Sequence, residues 1–322
     1  MGTTATKTDL FQTQLKKYQQ EIDSDIAAYS RHIQKTTLEQ YGEGAKLEID
    51  TFLSILGRGG KRIRGALAML GYEMSGGRNH KMILQAARAL EMIQAYILII
   101  DDIQDRSVMR RGAPSAHIML ADEHEKQEWT GEAEHFGVAI ALNSAIAGVH
   151  AAHMILANLD TAEDLRNKVV SIVNRTMLVT AHGQTYDILN EVNGRATTED
   201  VYRVMEWKAA HYTFLNPLHV GMVLAGAQCD ATDAITDYAI AAGLAFQITD
   251  DILGTFGNEI DSGKSSMDDT REGKRTLLTI YALQHSPKED KNFLLKMLGN
   301  ERITISEFDR VKDIIEASGA LT

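Results

Sequence analysis

Apolar positions recur at three- and four-residue steps along most of the chain, which is the period of an amphipathic helix. Leu10, Leu15, Tyr18, Ile22, Ile26 and Tyr29 mark a first helix from Asp9 to about Gln40, and a second covers 45–56. Gly57, Gly59 and Gly60 break the pattern, and 61–74 resumes it up to the Gly76-Gly77 turn. From His80 to about Asp105 the sequence is apolar on every side and predicts a buried helix. Gly112-Ala113-Pro114 marks a loop, and the charged stretch 122–134 reads as a surface connection. Long helices are predicted over 133–158, 162–191, 198–227 and 231–257, with a kink at Pro217. A polar loop over 258–273 precedes helices at 274–285, 289–298 and 304–317. Residues 1–8 are small and polar and read as a disordered segment.

This pattern predicts an all-α protein, a single large helical bundle with one domain over 9–322. Composition agrees. Only three prolines occur in 322 residues, where average usage would give roughly 16, so long helices run unbroken. A single cysteine, Cys229, excludes a disulfide framework and a cysteine-rich zinc module. With 33 basic and 44 acidic residues the net charge is −11, which argues against nucleic acid as a partner. No run approaches the about 18 consecutive apolar residues of a membrane span. Met1–Lys7 lacks the apolar core of a signal peptide, so a cytoplasmic location is expected.

The chemistry concentrates where apolar helices end. Asp101-Asp102-Ile103-Gln104-Asp105 follows Ile97-Leu98-Ile99-Ile100, and in a helix Asp101 and Asp105 share a face. Paired carboxylates repel each other and resist burial. A cation relieves both, and all-oxygen ligands favour Mg²⁺ completed by substrate phosphates. Asp250-Asp251 ends a second, alanine-rich helix in the same way. Bases follow each pair: Arg110-Arg111-Gly112 after the first, and Lys264, Arg271, Lys274 and Arg275 after the second. Lys61, Arg62 and Arg64 open another helix, whose N–H groups favour phosphate. Together these describe a metal-bridged diphosphate site shared by two helix ends. A structural salt-bridge network uses the same residue types, but it would not explain why the acids end apolar helices.

The order GGKRIRG (59–65), DDIQD with RRG (101–112) and DDILG with GKSSMDDTREGKRT (250–276) resembles the trans-isoprenyl diphosphate synthases of the polyprenyl synthetase family, from about residue 45 to 319. The resemblance implies an all-α bundle around a deep central cavity (the isoprenoid synthase type I fold), a homodimer, and Mg²⁺ with three ions expected on bound diphosphate. It implies head-to-tail condensation of isopentenyl diphosphate with an allylic diphosphate. Carried over by motif, Asp101 and Asp105 would ligate two ions, with Asp102 in support, and Asp250 a third, with Asp251 beside it. Arg110, Lys208, Lys264, Lys274 and Gln184 would hold the allylic diphosphate, and Lys61, Arg64, Gln94 and Arg111 isopentenyl diphosphate. Asp187 and Gln247 would lie near the reacting carbons, and Asp269 in the last polar loop.

Tyr96 and Ile97, five and four residues before Asp101, match the family's chain-length positions. Ile97 lies one helical turn, ~6 Å, below Asp101. One ring at this depth resembles enzymes making geranylgeranyl diphosphate, with farnesyl diphosphate next. Longer-chain synthases, a class I terpene cyclase and a non-catalytic partner subunit are the remaining alternatives. The cyclase needs no second diphosphate site, and a partner subunit typically loses an acidic motif that this chain keeps. Two departures from the family stand out. Gly65 replaces a proline after the basic motif, which predicts a looser helix start, and Gly254 replaces the last acid of the second motif. Relatives continue for a further helix or two past Ser318-Gly319, so a shortened C-terminus is expected.

Overall fold

The computed structural model describes residues 7–227, 229–257 and 265–322. Contacts divide it into two compact units, Met1–Val173 with Asn216–Asp233, and Asn174–Leu215 with Ala234–Thr322. Among the described residues it is helical apart from one small hairpin.

The first unit begins with α1 (Lys7–Gly57), which bends at Gly42 (φ 82°), between the two helices read from the sequence. Its inner face buries Tyr18, Ile22, Ile26, Phe52 and Leu56. α2 (Ile63–Met74) and α3 (His80–Gln104) follow, and Asn79 caps α3 by accepting from the N–H of Met82. α3 is the central helix and packs against α1, α2 and α5 (Ala133–Ala157), with Ile83, Leu90, Met92, Ile93 and Ile99 fully enclosed. The loop expected at 112–114 is a hairpin of β1 (Met109–Arg110) and β2 (Ala113–Pro114), paired Met109 with Pro114 and Arg110 with Ala113. The predicted connection at 122–134 is half helix: α4 spans Ala116–Lys126. Ala116, Leu120 and His124, four residues apart, bury one stripe that the dense charges around them disguise. α8 (Asn216–Leu224) lies close on α2.

Chain connectivity then runs through α6 (Glu163–Asn193), α7 (Thr198–Val204) and α9 (Cys229–Phe256). Between α7 and α8 the helix predicted over 198–227 widens into a π-helix, Met205–Leu215. Pro217 follows at once, and a proline has no N–H for the carbonyl four residues back. In the second unit the π-helix lies close to α6 at Gly183 and to α9 at Gly243. A Cβ would meet Lys208 N at 2.6 Å from the first glycine and Ala210 Cα at 2.5 Å from the second. The unit ends with α10 (Asp268–Glu272), α11 (Leu277–His285), α12 (Lys288–Met297) and α13 (Ile305–Ala317). Leu278, Leu294, Met297, Phe308, Val311 and Ile315 form its core. Thr304 and Glu307 form a capping box that starts α13.

α9 differs from expectation. It is not a buried helix: Ala241, Ala245 and Leu253 are exposed, and apolar composition there means alanine rather than core. By length and composition α3 and α5 could both cross a membrane, although neither holds an unbroken apolar run. The α3 stretch is 61% buried within the protein, as a core helix is, whereas that of α5 is 28% buried.

Candidate active site

The end of α3 opens where it needs to. Burial along the helix is nearly complete up to Ala95 and then relaxes: Tyr96, Ile97, Leu98 and Ile100 are partly exposed, while Ile99 stays enclosed. Asp101 and Asp105 are partly exposed, but Asp102 is 1% exposed. Arg110 turns back over this end. Its Nε donates to Asp102 Oδ1 at 2.7 Å, its Nη2 donates to the same oxygen, and Nη2 reaches Asp101 Oδ2 at 3.5 Å. Burial works against the Arg110 charge, but the hydrogen bond and charge of Asp102 outweigh it and hold the guanidinium above its usual pKa. The middle acid is therefore the main partner of a buried protein cation, which Asp101 reaches at a longer distance.

The hairpin makes RRG a geometric unit. Arg111 (φ 55°) and Gly112 (φ 73°) both have positive φ, the requirement of a two-residue type I′ turn. Arg111 is exposed at the tip and donates through Nη1 to the carbonyl of Gly59. Lys61 is exposed and Arg64 half-buried at the start of α2, and Gln94 is half-buried on α3. Arg62, between the two cations, is different. It is 4% exposed, and pairs with Asp23 at 2.8 Å and Glu91 at 3.6 Å. It is an internal tie between α1, α2 and α3 rather than a member of a phosphate-binding cluster. Gly65 also departs from the sequence reading. Its N–H donates to Glu91 Oε1 at 2.9 Å, and an added Cβ would lie 2.7 Å from Ile22 Cδ1. The start of α2 is therefore tied to α3 through Glu91, and a side chain at position 65 would have to displace Ile22 and press on Ala87.

In the second unit, close approach at Gly183 sets α6 against the π-helix. Lys208 Nζ donates to Asp187 Oδ2 at 2.8 Å, and Gln184 lies one residue from that glycine with its Oε1 buried. Gln247 donates to Asp251 Oδ1 at 2.8 Å. Burial pushes the Asp251 carboxyl up to about 7; the Gln247 hydrogen bond opposes this and the nearby Asp269 charge adds to it. Asp250 is exposed. Lys274 pairs with Glu272 at 2.6 Å and Asp269 at 3.4 Å. Gly254 has an explanation as well: a Cβ there would lie 2.8 Å from Asp269 Oδ2, so Asp269 fills the space of the absent acid. Lys264 lies outside the described residues.

The sequence model of the polyprenyl synthetase family matches residues 48–316. The geranylgeranyl diphosphate synthase of Saccharolobus solfataricus is 29% identical over 257 residues, 80% of this chain and 73% of the relative. The short chain isoprenyl diphosphate synthase of Methanocaldococcus jannaschii is 30% identical over 264 residues, 82% of this chain and 75% of the relative. Among solved structures, geranylgeranyl pyrophosphate synthase from Corynebacterium glutamicum, complexed with isoprenyl diphosphate and magnesium, superposes with a TM-score of 0.90 at 30% identity. That match covers 95% of this chain and 87% of the other. The fold is that of the prenyl synthases. The chain belongs to the polyprenyl synthetase family, and it is a prenyltransferase.

Proposed function

We propose that the chain condenses isopentenyl diphosphate head to tail with an allylic diphosphate in a Mg²⁺-dependent reaction, with geranylgeranyl diphosphate as the main product. The donor set fits the ion. Asp101 and Asp105 offer carboxylate oxygens one turn apart, while the acid between them is taken by Arg110. Among the described residues no three acidic, histidine or cysteine side chains form a ready-made cage. That is the pattern of Mg²⁺, which binds through one or two carboxylates and completes its shell with water and substrate phosphate. Asp250 would serve a further ion with Asp251 beside it, making three on bound diphosphate. When bound, the metal supplies charge that draws the diphosphate away from the allylic carbon.

The side chains do the holding. Arg110 commits Nε and Nη2 to Asp102, so it would meet the allylic diphosphate through its Nη1 edge, joined by Lys208, Lys264, Lys274 and Gln184. Lys61, Arg64, Gln94 and Arg111 would hold isopentenyl diphosphate so that its double bond faces the forming allylic cation. The proton lost after the new C–C bond forms would go to the departing diphosphate. Gln247 would orient Asp251, and Asp187 would set the Lys208 ammonium. Tyr96 and Ile97, partly exposed one turn before Asp101, would floor the space for the growing chain. A second copy of the chain would cover α5, whose Leu142, Ile146 and Met154 are exposed at 38%, 51% and 67%.

The observation that carries this reading is the end of α3: two partly exposed carboxylates beside a buried arginine, above a helix turn whose burial relaxes at Tyr96, Ile97 and Leu98. The test is incubation with isopentenyl diphosphate and each allylic primer, with and without Mg²⁺, and chromatography of the products. Elongation only with the metal is expected, and Tyr96→Ala should lengthen the products. No metal-dependent condensation with any primer would overturn the proposal.

A further inference from the structure

The segment 57–61 and the β1–β2 hairpin hold each other. Arg58 Nη1 donates to the carbonyls of Arg110 at 3.0 Å and Ala113 at 3.4 Å, the two residues that flank the Arg111-Gly112 turn. Its Nη2 rests against Met119 Sδ on α4. In return, Arg111 donates to the carbonyl of Gly59. Gln19 on α1 fixes the next carbonyl, Gly60 O, at 2.7 Å. Gly60 sits at φ 118°, a conformation that side chains rarely adopt, and a Cβ there would press on the Arg111 guanidinium, 2.7 Å from Nη2. Arg111 itself sits at φ 55°, a conformation that a side-chain-bearing residue keeps only when its surroundings over-determine it.

We infer that Arg58 is a positioning residue for both substrate-binding arginines: by bridging the carbonyls on either side of the turn, it holds Arg110 toward the allylic diphosphate and Arg111 toward isopentenyl diphosphate. The inference rests on the proposed assignment of those two arginines to the two diphosphates. Arg58 lies one residue before the basic motif and meets the hairpin through its backbone carbonyls. A guanidinium suits the task, because its rigid fork of donors can serve two carbonyls and a sulfur at once. A lysine can reach one carbonyl as a point donor and recovers only part of the geometry.

Steady-state KM for each substrate, kcat and thermal melting are measured for wild type, Arg58→Ala, Arg58→Lys, Arg110→Ala, Arg111→Ala and the double variant Arg58→Ala/Arg110→Ala. Arg58→Ala should raise both KM values by about tenfold, the loss of one charge-assisted hydrogen-bonding group, while kcat falls by less than about threefold. Arg58→Lys should recover part of that loss. Because Arg58 acts through Arg110, the allylic KM of the double variant should lie within about twofold of that of Arg110→Ala alone. If a folded Arg58→Ala leaves both KM values within about twofold while Arg110→Ala and Arg111→Ala raise theirs, the positioning role is wrong and the substrate assignment stands. Fully additive losses in the double variant would also overturn it. If Arg110→Ala and Arg111→Ala move neither KM, the assignment fails and the inference with it. Should Arg58→Ala not fold, Arg58→Gln, which keeps one donor on a shorter stem, is read by the same criteria.

Discussion

The two acid-bearing helix ends look alike in sequence and are built differently. At the end of α3 the protein supplies its own counter-charge: Arg110, 11% exposed, covers Asp102, 1% exposed, and the hairpin carrying that arginine is tied down by Arg58. At the end of α9 the acids are met by an amide at 2.8 Å, and Lys274 is shared between Asp269 and Glu272. Burial there lifts Asp251 to about 7 rather than pairing it with a buried cation. One end is centred on a buried ion pair, Arg110 with Asp102, which Asp101 joins at 3.5 Å. The other is centred on a largely buried carboxyl held by an amide. The same motif letters can therefore be built around a guanidinium or around an amide, depending on whether an arginine folds back onto the middle acid.

Four substitutions would break or sharpen that contrast. The largest effect belongs to Asp101→Asn, which removes a partly exposed carboxylate and leaves the shorter Arg110–Asp102 pair in place. Turnover should fall by about 10³-fold with an unchanged melting temperature, checked by product assay and calorimetry. Asp102→Asn should act on stability: it removes the main partner of the buried Arg110 charge and leaves only the longer contact with Asp101, at a cost of about 3 kcal/mol in urea unfolding. Gly65→Pro comes next. It removes the hydrogen bond to Glu91, drives a ring toward Ile22 and biases Arg64 away from helical geometry. A loss of about 3 kcal/mol is expected, where a loose helix start would have been stabilised. The smallest effect falls beside the α9 end. Asp187→Asn, which breaks the pair with Lys208 (26% and 15% exposed), should change unfolding free energy by about 1 kcal/mol. A loss there as large as that of Asp102→Asn would erase the distinction.

The helices were legible because period and glycine breaks report burial directly. The bend at Gly42 separates the two predicted halves of α1, and α3 ends at Gln104, next to the expected end at Asp105. The acid and base clusters were legible because unlike charges at the ends of apolar runs are costly without a purpose. What escaped was decided by neighbours distant in the chain. Arg62 has the same letter as Arg64, and only Asp23 and Glu91 make it structural. Gly65 reads as a missing proline because its crowding comes from Ile22, 43 positions earlier. Gly254 reads only as the replacement of an acid, because Asp269, which lies against it, is 15 positions later. α4 escaped because three buried residues in eleven are swamped by charge. Arg58 carried one signal that could have been read: a long cation set among glycines, where the chain has no helix of its own to decorate.

The π-helix from Met205 to Leu215 has a consequence for how this chain can change over generations. Hydrogen bonds there close from i to i+5 instead of i+4, so the segment holds more residues than an α-helix of equal turns. Deleting one residue between Lys208 and Pro217 would let it rewind as an α-helix. Every side chain on one side of the deletion would then rotate by about 100° relative to the other. Lys208 would leave Asp187, or Pro217 and the helix it opens would leave α2. Substitution along this stretch alters local contacts, whereas a change of length alters which way the lysine faces. The length of this segment is therefore as much a part of the Lys208 site as the lysine itself.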